Sequence, residues 1–252
     1  MYPRLTFKVY RAGGICVGDR TTHSLRADDG GKLHDRRASG VITVRRRPVD
    51  AWALAGGVAV VAACAVAASN GRVGPAERSV FEAINGLPDA LEPAMALVQY
   101  LGVLAIGPVV ALLALAARRP RLAVAALLVT IGKLLAERVV WELVQRERPG
   151  VTEPDAIVRG GSATAGVSFV SGHVVLSTGL AWVATPYLRG RWRAAPWVVV
   201  ALVSFARVYL GAHNPLDVLG GLGLGLAIGG AVNLMLGVPV AGAVRPRPPE
   251  HG

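Results

Sequence analysis

Four short polar clusters interrupt an otherwise apolar sequence: Arg146-Glu147-Arg148-Pro149, Ser171-Gly172-His173, a lone Arg207, and His213-Asn214-Pro215-Leu216-Asp217. Arginine presents a planar fork of donors that matches phosphate oxygens two at a time. A Ser-Gly pair at the start of a helix leaves backbone N–H groups free to bind an anion. Two histidines beside such a site can divide phosphoryl transfer, one attacking phosphorus while the other protonates the leaving oxygen. Asp217 follows His213 by four residues, near enough to accept the proton of its second ring nitrogen and fix the tautomer. A lone histidine or arginine in an apolar chain is more often a packed or snorkelling side chain. The joint inventory is what points to phosphorus chemistry.

The elements that must position these clusters are membrane helices. The 252-residue chain is 53% hydrophobic and 17% charged, with a mean hydropathy of +0.47, yet its formal net charge is +11. Apolar runs in lipid with arginines at their ends reconcile these figures. Nucleic-acid binding is disfavoured, because the arginines flank apolar runs instead of forming a basic domain. A span needs about 20 mostly apolar residues. Six candidates meet or approach this length: 51–69, 94–117, 122–144, 171–188, 195–210 and 216–238. Pro120, Pro149, Pro196 and Pro215 fall at their boundaries. The expected fold is therefore all-α, a six-transmembrane helix bundle over residues 48–240.

Arginine bias sets the expected orientation. Residues 1–47 hold eleven Lys or Arg against four acids and read as a disordered basic cytoplasmic tail, with residues 241–252 a second, short one. No cleavable leader is expected in so polar a segment. Arg118, Arg119 and Arg121, then Arg189, Arg191 and Arg193, occupy alternate loops on the same side as both tails. The loop expected over residues 70–92 is acidic and lies opposite, and so do all four polar clusters. Gly221, Gly225 and Gly229 repeat every four residues and suggest close helix packing. Cys16 and Cys64 have no metal-ligand spacing, and neither a metal nor another cofactor is expected.

These residues resemble the signature of the type-2 phosphatidic acid phosphatase (PAP2) superfamily, over residues 51 to about 238. Its first part is a lysine, six residues and Arg-Pro; here Arg148-Pro149 remain, and Trp141 stands where lysine is expected. The second, Pro-Ser-Gly-His, reads Val170-Ser171-Gly172-His173. The third has Ala206 in place of serine, then Arg207, His213 and Asp217 with both spacings intact. The resemblance implies His213 as a nucleophile forming a phosphohistidine, His173 as general acid and Asp217 as the group that orients His213. Arg148, Ser171, Gly172 and Arg207 would hold the phosphoryl oxygens without a metal. It also implies a lipid phosphate or polyprenyl (pyro)phosphate substrate, handled at the non-cytoplasmic face of the plasma membrane.

Trp141 opens a second reading, a weakened or inactive relative that binds lipid or a membrane partner. A haloperoxidase is a more distant third. Arg138, one turn deeper, and Arg146 are the candidates to replace the missing cation, although Arg138 can instead pair with Glu142. Trp141 itself could wall a lipid site. Lys133 would lie about 22 Å from Arg148 along an ideal helix, out of reach.

Overall fold

The computed structural model describes residues 44–239, so the expected basic tail lies outside the described residues except at its end. That end is folded: Val44–Arg45 (β1) pairs antiparallel with Val238–Pro239 (β2), tying the two ends of the helical region together. Residues 44–47 thus belong with the bundle and not with the tail.

Nine helices follow among the described residues: α1 (Pro48–Ala68), α2 (Pro75–Asn85), α3 (Glu92–Val98), α4 (Ile106–Ala116), α5 (Pro120–Leu143), α6 (Pro149–Thr152), α7 (Gly172–Ala184), α8 (Ala195–Tyr209) and α9 (Pro215–Leu236). Five of them start with proline, whose fixed φ and missing N–H suit a first helical position. Large apolar side chains such as Trp52, Val66, Leu112, Leu113, Leu135 and Leu143 stand exposed on the outside. An exterior of this kind belongs in hydrocarbon, and the chain is a membrane protein.

The expected spans are realised unequally. α1 and α9, with 21 and 22 residues, are long and apolar enough to cross a membrane. The run expected at 94–117 is broken: residues 89–102 and α4 meet at a bend of 66°, and would make a third crossing if taken together. α5 has 24 residues but carries Lys133, Glu137, Arg138 and Glu142 in its second half. α7 and α8, at 13 and 15 residues, fall short of the about 30 Å hydrocarbon thickness at about 1.5 Å per residue. Residues 70–92, read as a loop, contain α2. Pro75 starts it, and Glu77, Phe81 and Asn85 recur every four residues on its buried face.

α9 runs through the middle, between α1 and α7, and two glycine seams set its approach to each. Cβ atoms at Gly225 would stand 2.6 Å from Val175 O, and at Gly221 2.9 Å from Ser171 O, so these residues seat α9 against the α7 backbone. Gly223 and Gly230 do the same against α1, where a Cβ at Gly230 would meet Asp50 O at 2.6 Å. Between α4 and α5 the chain reverses at Arg118 (φ 56°), the left-handed residue that ends α4, while Arg119 N–H donates back to Ala114 O at 2.8 Å. At the far end of the bundle Asp50 is fully buried. It accepts from Arg47 (2.6 and 2.8 Å), Trp182 Nε1 (2.9 Å) and Asn233 Nδ2 (3.0 Å), joining α1, α7 and α9.

Candidate active site

The starts of α7 and α9 lie together at the opposite end. Ser171 N–H donates to Asp217 O (3.0 Å), which locks one helix start to the other. Ser171 is the N-cap of α7, fully buried, and its Oγ has no partner. The N–H groups of Gly172 and His173 lie in the first turn, where no intrahelical acceptor exists. An unpartnered buried hydroxyl beside free backbone donors is expensive without an anion to bind.

Histidines and arginines surround this helix start. His213 follows α8 directly, its N–H donating to Arg207 O (3.2 Å) and its ring almost wholly buried. Arg207, in the last turn of α8, donates from Nη1 to Gln99 Oε1 (2.6 Å) and leaves Nε unpartnered. α5 stops at Leu143, and the following segment runs beside residues 167–168: Glu147 bridges Val167 and Ser168 N–H donates to Arg146 O (2.7 Å). Arg148 is thereby aimed inward, donating from Nη1 to Ala212 O (2.9 Å), next to His213. His173 lies within electrostatic reach of Arg207, His213, Lys133 and Arg148. The sequence-predicted set His173, His213, Asp217, Arg148, Ser171, Gly172 and Arg207 therefore occupies one region.

The contact expected between His213 and Asp217 takes a different form. Nδ1 and Asp217 Oδ2 stand 3.8 Å apart, too far for a hydrogen bond. Ser168 Oγ bridges them, 3.2 Å from Nδ1 and donating to Oδ2 at 2.5 Å. Asp217 is drawn back by its place in the first turn of α9, where Oδ2 also accepts from Asn214 N–H at 2.8 Å. With Nδ1 engaged, the other ring nitrogen is the one left for chemistry. Burial pushes the His213 pKa down to about 4, with Arg207 and Arg148 assisting and Asp217 opposing, so the imidazole is neutral at pH 7.

The auxiliary candidates are not at the phosphate position. Arg146 is fully buried, but its guanidinium turns to Glu77 on α2 (2.9 and 2.7 Å) and to Asp217 Oδ1 (3.1 Å). Arg138 is exposed, and among the described residues no ion pair joins it to Glu142. Trp141 is 38% exposed on the outer side of α5. The sequence reading missed Ser168, Glu77 and Gln99, which reach the region from loops or helices remote in sequence. It dismissed Lys133 because the straight-helix measure assumed that α5 continues to Arg148. Lys133 instead pairs with Glu137 (2.5 Å) against Gly172, and Glu137 lies within electrostatic reach of Arg148.

Residues 122–238 match the model of the PAP2 superfamily. Two solved structures share the fold. One is LpxE of Aquifex aeolicus, with TM-score 0.53 and 21% identity over 61% of this chain and 92% of that one. The other is a transmembrane PAP2-type phosphatidylglycerolphosphate phosphatase of Bacillus subtilis, with TM-score 0.54 and 21% identity over 71% of this chain and 94% of that one. No curated protein sequence matches significantly.

Proposed function

We propose, from the match of residues 122–238 to the PAP2 superfamily model, that the chain is a membrane phosphatase for a lipid phosphate or pyrophosphate, working through a phosphohistidine. The observation that carries this reading is the unpartnered Ser171 Oγ at the start of α7, two residues from His173, which lies within electrostatic reach of Arg148, Arg207 and His213. The free ring nitrogen of neutral His213 attacks phosphorus in line. His173 donates a proton to the departing lipid oxygen, and water then cleaves the phosphorus–nitrogen bond as His173 takes a proton back. Arg148, Arg207, Ser171 and the first-turn N–H groups hold the equatorial oxygens, where charge grows in the transition state. Protein side chains perform each of these steps. The lipid tail stays in the bilayer, and arginine bias puts the site at the non-cytoplasmic face with both termini on the other side.

The test is phosphate release by purified protein in mixed micelles containing phosphatidate, phosphatidylglycerophosphate or a polyprenyl pyrophosphate. Wild type is expected to turn over at least one, and His213→Ala to lose that activity while eluting as a folded species. Undiminished release by His213→Ala rejects the nucleophile. The outward-facing Trp141 favours a second reading, a lipid-binding relative with weakened catalysis. Absence of wild-type turnover on every lipid, with phosphate binding retained, would favour it.

A further inference from the structure

The site has a cationic residue outside the family signature. We infer that Lys133, held by Glu137, is the third cation of the phosphate site and takes the part that Trp141 cannot. The inference rests on the phosphate-site reading above and identifies the residue that completes it.

The register of α5 against α7 is the first support. The two helices run antiparallel: a Cβ at Gly179 would stand 2.7 Å from Val129 Cγ1, and one at Gly172 would stand 2.9 Å from Lys133 Cε and collide with Glu137 Oε1. The start of α7 therefore faces positions 133 and 137. Residue 141 lies about 6 Å further along α5, beyond the first turn of α7. Val140 and Val144 fill the inner face at that level, packed with Phe169 and Val170, and leave Trp141 on the outside.

Burial and charge are the second support. Lys133 has only 14% of its side chain exposed, on a helix with an apolar exterior. A buried ammonium requires a partner, and Glu137, one turn later, supplies it at 2.5 Å. One carboxylate oxygen occupies one of three ammonium donors, leaving two for another acceptor. Lys133, Arg148 and Arg207 all lie within electrostatic reach of His173, a gathering of cations that favours an anion as the acceptor. A phosphoryl oxygen at the α7 N-terminus meets that description. The absence of a β-carbon at Gly172 is what lets the pair lie this close.

The experiment compares wild type with Lys133→Met, Lys133→Arg, the paired variant Lys133→Met/Glu137→Met, and Trp141→Lys. Two quantities are read: binding of inorganic phosphate by calorimetry, and kcat and KM on the lipid that wild type turns over. The paired variant leaves no orphaned carboxylate, so it is expected to melt near wild type, yet to bind phosphate at least tenfold more weakly. Its kcat/KM is expected to fall about 100-fold, the scale of removing one preorganised donor. Lys133→Arg restores part of both, whereas a purely structural role would leave phosphate binding unchanged in the paired variant. Trp141→Lys is expected to change kcat/KM by less than about twofold. A tenfold gain from Trp141→Lys, or wild-type phosphate affinity in the folded paired variant, overturns the assignment. Failure of this inference alone leaves His213→Ala inactive and wild type active; failure of the phosphatase reading removes turnover, and calorimetry still decides whether Lys133 holds phosphate.

Discussion

Replacing Arg146 with leucine should damage the protein more than removing any surface charge, and by an amount that follows from its contacts. The guanidinium has no exposure, meets both oxygens of Glu77 at 2.9 and 2.7 Å, and reaches Asp217 at 3.1 Å. Both carboxylates are themselves buried. At about 4 Å, with an effective dielectric near 20, one such attraction is of order 4 kcal/mol, much of it offset by desolvation of the ions. Removing the shared partner leaves two buried carboxylates without the cation they share, and breaking one buried pair typically costs about 3–5 kcal/mol. Arg146→Leu should therefore lose at least that much stability, read as a lower unfolding temperature in detergent. Glu77→Leu added to it should recover a large part, giving a coupling above about 2 kcal/mol in a double-mutant cycle. Unchanged melting of Arg146→Leu, or additive effects of the two substitutions, would refute the network.

Two further outcomes follow from the surroundings of His213. Ser168→Ala removes the hydroxyl between Nδ1 and Asp217; a hydrogen bond to a charged group contributes about 1.5–3 kcal/mol, so kcat should fall about 10–100-fold with little change in KM. Equal kcat in steady-state assays would rule out Ser168 as a positioning residue. The depressed pKa of His213, about 4 against 6.5 unfolded, gives a stabilisation that is full above pH 6.5 and lost as pH falls towards 4, because the unfolded chain takes up the proton first. Melting temperatures between pH 6.5 and 4.5 should fall more steeply for wild type than for His213→Asn; parallel slopes would contradict it.

The candidate site residues are legible in the sequence because they sit at or near helix ends, where local sequence governs geometry. Ser171-Gly172-His173 starts α7 and Asn214-Pro215 starts α9, so the helix starts themselves fix where these residues stand. The straight-helix separation of Lys133 from Arg148 does not hold, because α5 stops at Leu143 and the chain goes on in an extended conformation. Arg146 was read as a spare phosphate ligand because its main partner, Glu77, lies 69 positions earlier on a helix that resembled a loop. The break between α3 and α4 had only Gly102 to mark it, and what requires that glycine is the nearness of His173, a residue 71 positions away: a Cβ there would stand 2.7 Å from His173 Cβ.

α1, α7 and α9 form a keel tied by hydrogen bonds and close backbone contact. Asp50 pins the three at one end, the Ser171–Asp217 link holds α7 to α9 at the other, and glycine keeps the backbones in contact between them. A hydrocarbon chain cannot wedge itself along either seam without prising apart backbone contacts over several turns at once. On the proposed function, traffic between the bilayer and the histidines is therefore left to the other flank, formed by α2, α8 and the bent α3–α4 arm. That arm rests on His173 through Gly102 and binds Arg207 through Gln99, so whatever lifts it also disturbs two groups of the proposed phosphate site.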